Sequence, residues 1–195
     1  MSYPIIVIEG LDGVGKSTLV ESLSKKINAA VLKTPPLIYS PMLGEESLRP
    51  FFDAQPEHVR REYYRFSCVI AGAKAKELSK VQPVIIDRYW TSTVAYAYGA
   101  GEAHDILRHA GTYPNGIVKP DHTILLTVSE DVRLKRIRKR QDTDTVEEQR
   151  LATDIAFRKR TLNAFRWFDI HEIDTSKLTP NEVLTSALDV IGGAQ

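Results

Sequence analysis

The chain has 195 residues, with 26 Lys and Arg against 25 Asp and Glu and a formal net charge of +1. That length suits one compact domain, so residues 1–195 are read as a single unit that can bury a core without staples. The charge balance excludes a global field that would draw nucleic acid, and no apolar run approaches the ~18 residues of a membrane span. The single Cys68 cannot form an internal disulfide, and no targeting segment precedes the first apolar run. Together these favour a reducing compartment, the cytoplasm.

The first element is a short apolar strand, Ile5 to Ile8. It runs directly into "EGLDGVGKST", Glu9 to Thr18. Gly10, Gly15, Lys16 and Ser17 fit the pattern G-x-x-x-x-G-K-[ST], between a strand and a helix. Glycines let backbone N–H groups turn toward an anion, and the following helix N-terminus adds positive potential. The loop Gly10, Leu11, Asp12, Gly13, Val14, Gly15, Lys16, Ser17 and Thr18 is therefore a candidate cradle for a nucleoside triphosphate. Lys16 is placed to reach the outer phosphates and Ser17 to ligate magnesium. Asp12 is the unusual member. A carboxylate in such a loop is unwelcome beside phosphate, so it is expected to turn toward an arginine or toward an acceptor.

Leu19, Leu23 and Ile27 recur at spacing four, the stripe of an amphipathic helix. Ala30 to Leu32 reads as a second strand. The proline-rich stretch from Pro35 to Pro56 reads as loop or short helices. A long helix is expected from Glu57 to Lys80, where Val59, Tyr63, Phe66 and Ile70 keep a helical beat. Val84 to Ile86 is a third buried strand ending in Asp87-Arg88. An arginine at such a strand end offers a planar fork for phosphate. Asp87 can orient it or hold magnesium through water. Ser92, Thr93 and Tyr96 follow at helical spacing with polar tips.

Gly99 to Pro120 is a second loop-like stretch, Thr123 to Val128 a fourth strand and Ile170 to Ile173 a fifth. Helices are expected over Val132 to Arg140, Glu147 to Phe168 and Asn181 to Ile191, the last with Thr179 as N-cap and Pro180 at its first position. Strands alternating with helices predict a parallel sheet covered on both faces. The fold class is α/β, a three-layer phosphate-binding-loop NTPase fold. The run "RLKRIRKR" reads either as a solvated helix face or as a basic lid closing on the nucleotide. It lacks the aromatic interleaving of a nucleic-acid surface.

"EGLDGVGKST", "DRYWTSTVAY" and "KPDHTILLTVSEDVRLKR" together resemble the thymidylate kinases, which pass the γ-phosphate of ATP to dTMP. The resemblance implies a five-stranded parallel core, a short mobile lid at about 136–146, ATP and Mg2+, nucleotide substrates and a homodimer. It implies that Arg88 and Arg49 grip the acceptor phosphate, that Asp12 faces the acceptor sugar, and that Tyr96 presses on its 2′ position. Ser92 falls in the same acceptor region. Tyr63 takes the place of the aromatic residue that stacks on the base. Arg136, Arg138 and Arg140 match the lid arginines that meet charge on the transferred group.

Two departures touch the base. Ser67 stands where the family places a base-reading arginine, and Ala97 where it places a glutamine. "LKTPP", "FFDAQPEHVRREYY" and "PVIIDRYW" resemble, more narrowly, the kinase domain of mitochondrial UMP/CMP kinase, a branch of the same family. The acceptor thus stays open among dTMP, dUMP, dCMP, UMP and CMP. A regulatory nucleotide switch would need a guanine-reading N-K-x-D, which is absent. A kinase of another small metabolite and a catalytically silent nucleotide-binding relative are the remaining alternatives.

Overall fold

The computed structural model describes residues 2–36, 48–101, 107–139 and 146–193. Five strands, β1 (Ile5–Glu9), β2 (Ala30–Lys33), β3 (Val84–Asp87), β4 (His122–Thr127) and β5 (His171–Asp174), form one sheet in the order β2-β3-β1-β4-β5. Every pairing is parallel. The register sets Ile8 beside Asp87 on one side and Ile124 on the other. The C-terminal ends of the three central strands therefore rise together.

Parallel strands need crossovers, and helices supply them. After β1 comes α1 (Lys16–Ile27) and after β2 come α2 (Leu48–Asp53) and α3 (Glu57–Leu78). Then follow α4 (Trp90–Ala100), α5 (Glu130–Arg138), α6 (Val146–Thr153), α7 (Ile155–Phe165) and α8 (Pro180–Gly192). Burial on both sheet faces makes the strands continuously apolar. Ile6 and Ile8 pack on one side with Leu23, Tyr96 and Phe165. Ile5 and Val7 pack on the other with Ala71, Tyr89 and Phe168.

The single helix expected over Glu147 to Phe168 is two helices, α6 and α7. Asp154 breaks it: its side chain accepts the Phe157 N–H at 2.8 Å and caps α7. Residues 37–47 of the stretch Pro35 to Pro56 lie outside the described residues, and its described part holds one short helix, α2. Thr179 caps α8 as expected, in a reciprocal capping box with Glu182. The small residues Ala71, Gly72 and Ala75 of α3 are buried within the protomer. A Cβ on Gly72 would lie 2.2 Å from the Tyr89 hydroxyl oxygen, so the stripe serves internal packing.

Candidate active site

The β1–α1 loop sits where the central strands end. Gly10 has φ 139°, and a Cβ there would stand 2.4 Å from the Leu126 carbonyl oxygen, so only glycine lets the loop leave β1 against β4. Gly15, at φ 106°, is the left-handed N-cap of α1, with Lys16 and Ser17 next in the first turn. Leu11 and Val14 turn inward and are buried, while Ser17 and Thr18 are exposed. Lys16 donates to the Leu11 carbonyl at 2.7 Å. Burial pulls its ammonium down to about 7, with Arg88 acting in the same direction.

Asp12 turns across the loop toward β3. Its Oδ1 lies 2.5 Å from Arg88 Nη2 and 3.9 Å from Lys16 Nζ. Arg88 Nη1 also donates to the Tyr96 hydroxyl at 3.3 Å, and the guanidinium sits 5.6 Å from the Tyr96 ring centre. Burial alone would lower the Arg88 pKa. Tyr96, Asp12 and Glu9 more than reverse this, and the group stays cationic.

Arg88 adopts φ 64°, an uncommon conformation for a side-chain-bearing residue. Three bonds hold it there. Its N–H donates to Ile8 O at 3.0 Å, its carbonyl accepts from Thr34 Oγ1 at 2.7 Å, and the next N–H, of Tyr89, donates to Glu9 at 2.9 Å. Such strain persists where the surroundings over-determine it, and it gathers at functional sites.

Glu9 is the residue that sequence reasoning passed over. It is fully buried at the end of β1. Its Oε1 accepts the N–H groups of Tyr89 and Ser92 at 2.9 and 3.1 Å, and its Oε2 accepts the Ser92 hydroxyl at 2.5 Å. It thus caps the N-terminus of α4 from a neighbouring strand. Burial raises its carboxyl to about 7, against the opposing pull of Ser92, Arg88 and Tyr89. The signal was present: a Glu directly after an apolar strand and before a glycine must be buried at the sheet edge.

A cavity of about 250 Å3 opens beside this cluster. Asp12, Lys16, Ser17, Asp87, Arg88, Ser92 and Tyr96 line it on the loop and β3–α4 side; Arg49, Arg61 and Tyr64 line it on the α2–α3 side. Arg49 Nε donates to Asp53 at 3.2 Å. Tyr63 and Ser67 are brought near but not into the wall. Tyr63 is buried and stacks on Phe52, with centroids 4.4 Å apart and planes 6° from parallel. Ser67 is buried and donates to Tyr63 O at 2.8 Å.

Magnesium fits the donor set. Asp87 Oδ1 is buried and makes no hydrogen bond among the described residues, and Ser17 shares the cavity. No cluster of three or more His, Cys, Asp or Glu side chains suited to a metal occurs among the described residues. Magnesium is commonly held by one or two protein oxygens together with substrate phosphates and water, which is the kind of site Ser17 and Asp87 can offer.

A second cavity, of about 430 Å3, borders the same loop at Gly13, Val14, Gly15 and Thr18. Arg136 lines it together with Thr175 and Pro180. Its guanidinium is tied down, donating to Val14 O at 3.1 Å, Thr175 Oγ1 at 2.9 Å and Thr175 O at 2.9 Å. Arg136 is thus fixed against the loop, and its place is this second cavity. Arg138 is exposed at the end of α5, while Arg140 and most of the expected lid lie outside the described residues. Arg133, from the same basic run, is 1% exposed. It donates to Glu130 at 2.8 and 2.9 Å and reaches Asp12 O at 3.4 Å, behind the loop. A solvated or lid-facing role is ruled out for this member of the run.

The family model for thymidylate kinase matches residues 8–186. The chain belongs to the thymidylate kinase family. UMP-CMP kinase 2, mitochondrial, of Homo sapiens is 34% identical over 199 residues, covering 97% of this chain. This chain spans only 42% of that protein's length. A thymidylate kinase of Idiomarina loihiensis is 33% identical over 177 residues, covering 84% of each chain. The structure of thymidylate kinase from Candida albicans superposes with a TM-score of 0.73 at 22% identity, covering 98% of this chain and 92% of that one. At that identity it speaks for the fold alone, the phosphate-binding-loop NTPase architecture. By family the chain is an ATP-dependent nucleoside monophosphate kinase. No helix among the described residues is long and apolar enough to cross a membrane.

Proposed function

We propose that the chain transfers the γ-phosphoryl group of ATP to a pyrimidine nucleoside monophosphate, with a deoxyribose sugar preferred. One observation carries this reading. Asp12 belongs to the phosphate cradle yet is bonded to Arg88, the arginine of the facing wall, within one cavity. Two anion sites then share a border, as in-line transfer between two phosphates requires.

The donor triphosphate lies along the loop, its outer phosphates at Lys16 and its nucleoside toward the second cavity and Arg136. Ser17 and Asp87 would hold magnesium, which when bound would supply charge neutralisation on the donor phosphates. Arg88 and Arg49 hold the acceptor phosphate against electrostatic repulsion, and Asp12 keeps Arg88 aimed. Tyr96, braced by Phe157 and Phe165 at centroid distances of 6.2 and 6.5 Å, limits room beside the sugar. The acceptor oxygen is already anionic, so no general base is required. Arg138 and Arg140 are assigned to lid closure over the transferred group. The lone buried Cys68 suits a reducing compartment such as the cytoplasm. The chain acts as a homodimer through the outer face of α3.

The test is ADP release with dTMP, dUMP, dCMP, UMP and CMP offered singly. Turnover with at least one deoxynucleotide, exceeding that with its ribonucleotide partner, supports the reading. ATP consumption that no pyrimidine monophosphate accelerates rejects it.

A further inference from the structure

Resting on the assignment of the first cavity to the acceptor, we infer that Arg61 and Tyr64 form the subsite for the acceptor base, and that Arg61 sets a preference for cytosine. Ser67, in the position expected to read the base, spends its hydroxyl on Tyr63 O at 2.8 Å and is fully buried. Tyr63 has Phe52 stacked on its ring. Arg61 and Tyr64 border the cavity instead. Three residues apart on one helix, they are neighbours on one face.

Each is held from behind. Glu57, one turn earlier on α3, pairs with the Arg61 guanidinium. Asp53 accepts the Tyr64 hydroxyl at 2.8 Å. A guanidinium carries five N–H donors, so a carboxylate partner does not exhaust it. An anchored fork loses less freedom on binding than a loose one. The acceptor phosphate is assigned to Arg88 and Arg49, and the donor phosphates to Lys16 and the loop, which leaves Arg61 and Tyr64 for the base.

A donor-only fork beside an aromatic ring suits a flat ring with adjacent acceptors. Cytosine presents N3 and O2 side by side, so two parallel N–H groups engage together. Uracil and thymine place an N3–H donor between their carbonyls, which leaves one acceptor for the fork and sets donor against donor. Arg61 therefore selects cytosine nucleotides over thymine nucleotides.

Steady-state kinetics of the wild type, Arg61→Ala and Arg61→Lys with dCMP and dTMP test this, with 2-deoxyribose 5-phosphate as a base-less inhibitor. The wild type is expected to favour dCMP in kcat/KM. Arg61→Ala should raise KM for dCMP at least ~10-fold, leave kcat within about threefold, and abolish the preference. The Arg61→Lys variant keeps the charge without the fork and should also lose the preference. Inhibition by 2-deoxyribose 5-phosphate should be the same in all three proteins. A matching loss of that inhibition in Arg61→Ala makes Arg61 a phosphate ligand and overturns the inference. A wild-type preference for dTMP that both variants retain overturns it while leaving the kinase reading intact. Absence of turnover with either acceptor in the wild type removes both.

Discussion

Arg88 concentrates what single residues contribute here. Its backbone is held at φ 64° by three hydrogen bonds, and its guanidinium is fixed by Asp12 and Tyr96 before any anion arrives. A preorganised cation is worth most where charge must be held in a water-poor cavity. Arg88→Ala is expected to lower kcat at least ~100-fold, the scale for losing one transition-state charge partner. A loss below tenfold in steady-state kinetics contradicts the role. Glu9 makes a second prediction, in pH. Its folded-state carboxyl titrates near 7, above its ordinary 4.5, because burial disfavours the anion. Its contribution to stability is therefore complete below about pH 4.5 and is lost as pH rises through 7. Glu9→Gln cannot ionise and lacks that loss. Between pH 5 and 8 the variant should gain about 2 kcal/mol relative to the wild type. Urea denaturation at both pH values measures the difference, and parallel profiles for the two proteins would refute it.

Among elements, the phosphate loop depends on what stands behind it. α5 presses on Gly13, where a Cβ would lie 3.0 to 3.1 Å from Ile137 and Arg133. Arg133 joins α5 to the loop at Asp12 O and to α6 at Leu151 O, each at 3.4 Å, with Glu130 as its counter-charge. Removing it leaves Arg158 to Glu130 at 3.1 Å and to Leu151 O at 2.7 Å, but empties the buried space behind the loop and takes away the contact to Asp12 O. Arg133→Ala should cost at least about 2 kcal/mol, and Arg133→Lys should not rescue it, since a point charge cannot serve all three sites. A change within about 0.5 kcal/mol, the range of ordinary surface substitutions, would show the brace to be dispensable.

The same elements show what sequence can and cannot disclose. All five strands were legible because apolar runs bounded by glycine, proline or charge have few other uses. The loop was legible because its glycines and Lys16 obey backbone geometry rather than packing. The Thr179 cap was legible because capping is local. The inward turn of Arg133 was not: the run "RLKRIRKR" has no periodicity that separates a buried arginine from solvated ones, and its partners Asp12 and Leu151 are remote in the chain. The exchange of Tyr63 for Tyr64 at the cavity wall hides for a similar reason. One residue is a 100° turn on a helix, and only the packing of Phe52 decides which ring faces in.

At the scale of the molecule, the sheet order places the phosphate loop centrally, with one cavity on each side. Both cavities lie away from the outer face of α3, which is free to meet a second copy. The inner face of that helix is committed, since Cys68, Ala71 and Ala75 are all buried in the protomer core. Outward, Phe66 is 58% exposed and Ala73 is also exposed, about one turn before and one turn after the half-buried Ile70. Residues at 66, 70 and 73 share one helix face, and an isologous contact would set this face against its own copy. A small residue beside an exposed phenylalanine allows close approach of two helices while giving the ring a slot to fill. Phe66→Glu places like charges across such a two-fold contact. Multi-angle light scattering at micromolar concentration should then give a dimer for the wild type and a monomer of 21.9 kDa for the variant. Melting temperature measured on both proteins at high and low concentration separates the cases further. A true dimer couples stability to protomer concentration in the wild type alone. A wild-type monomer mass, or a dimer that Phe66→Glu leaves intact, would remove this face of α3 from consideration.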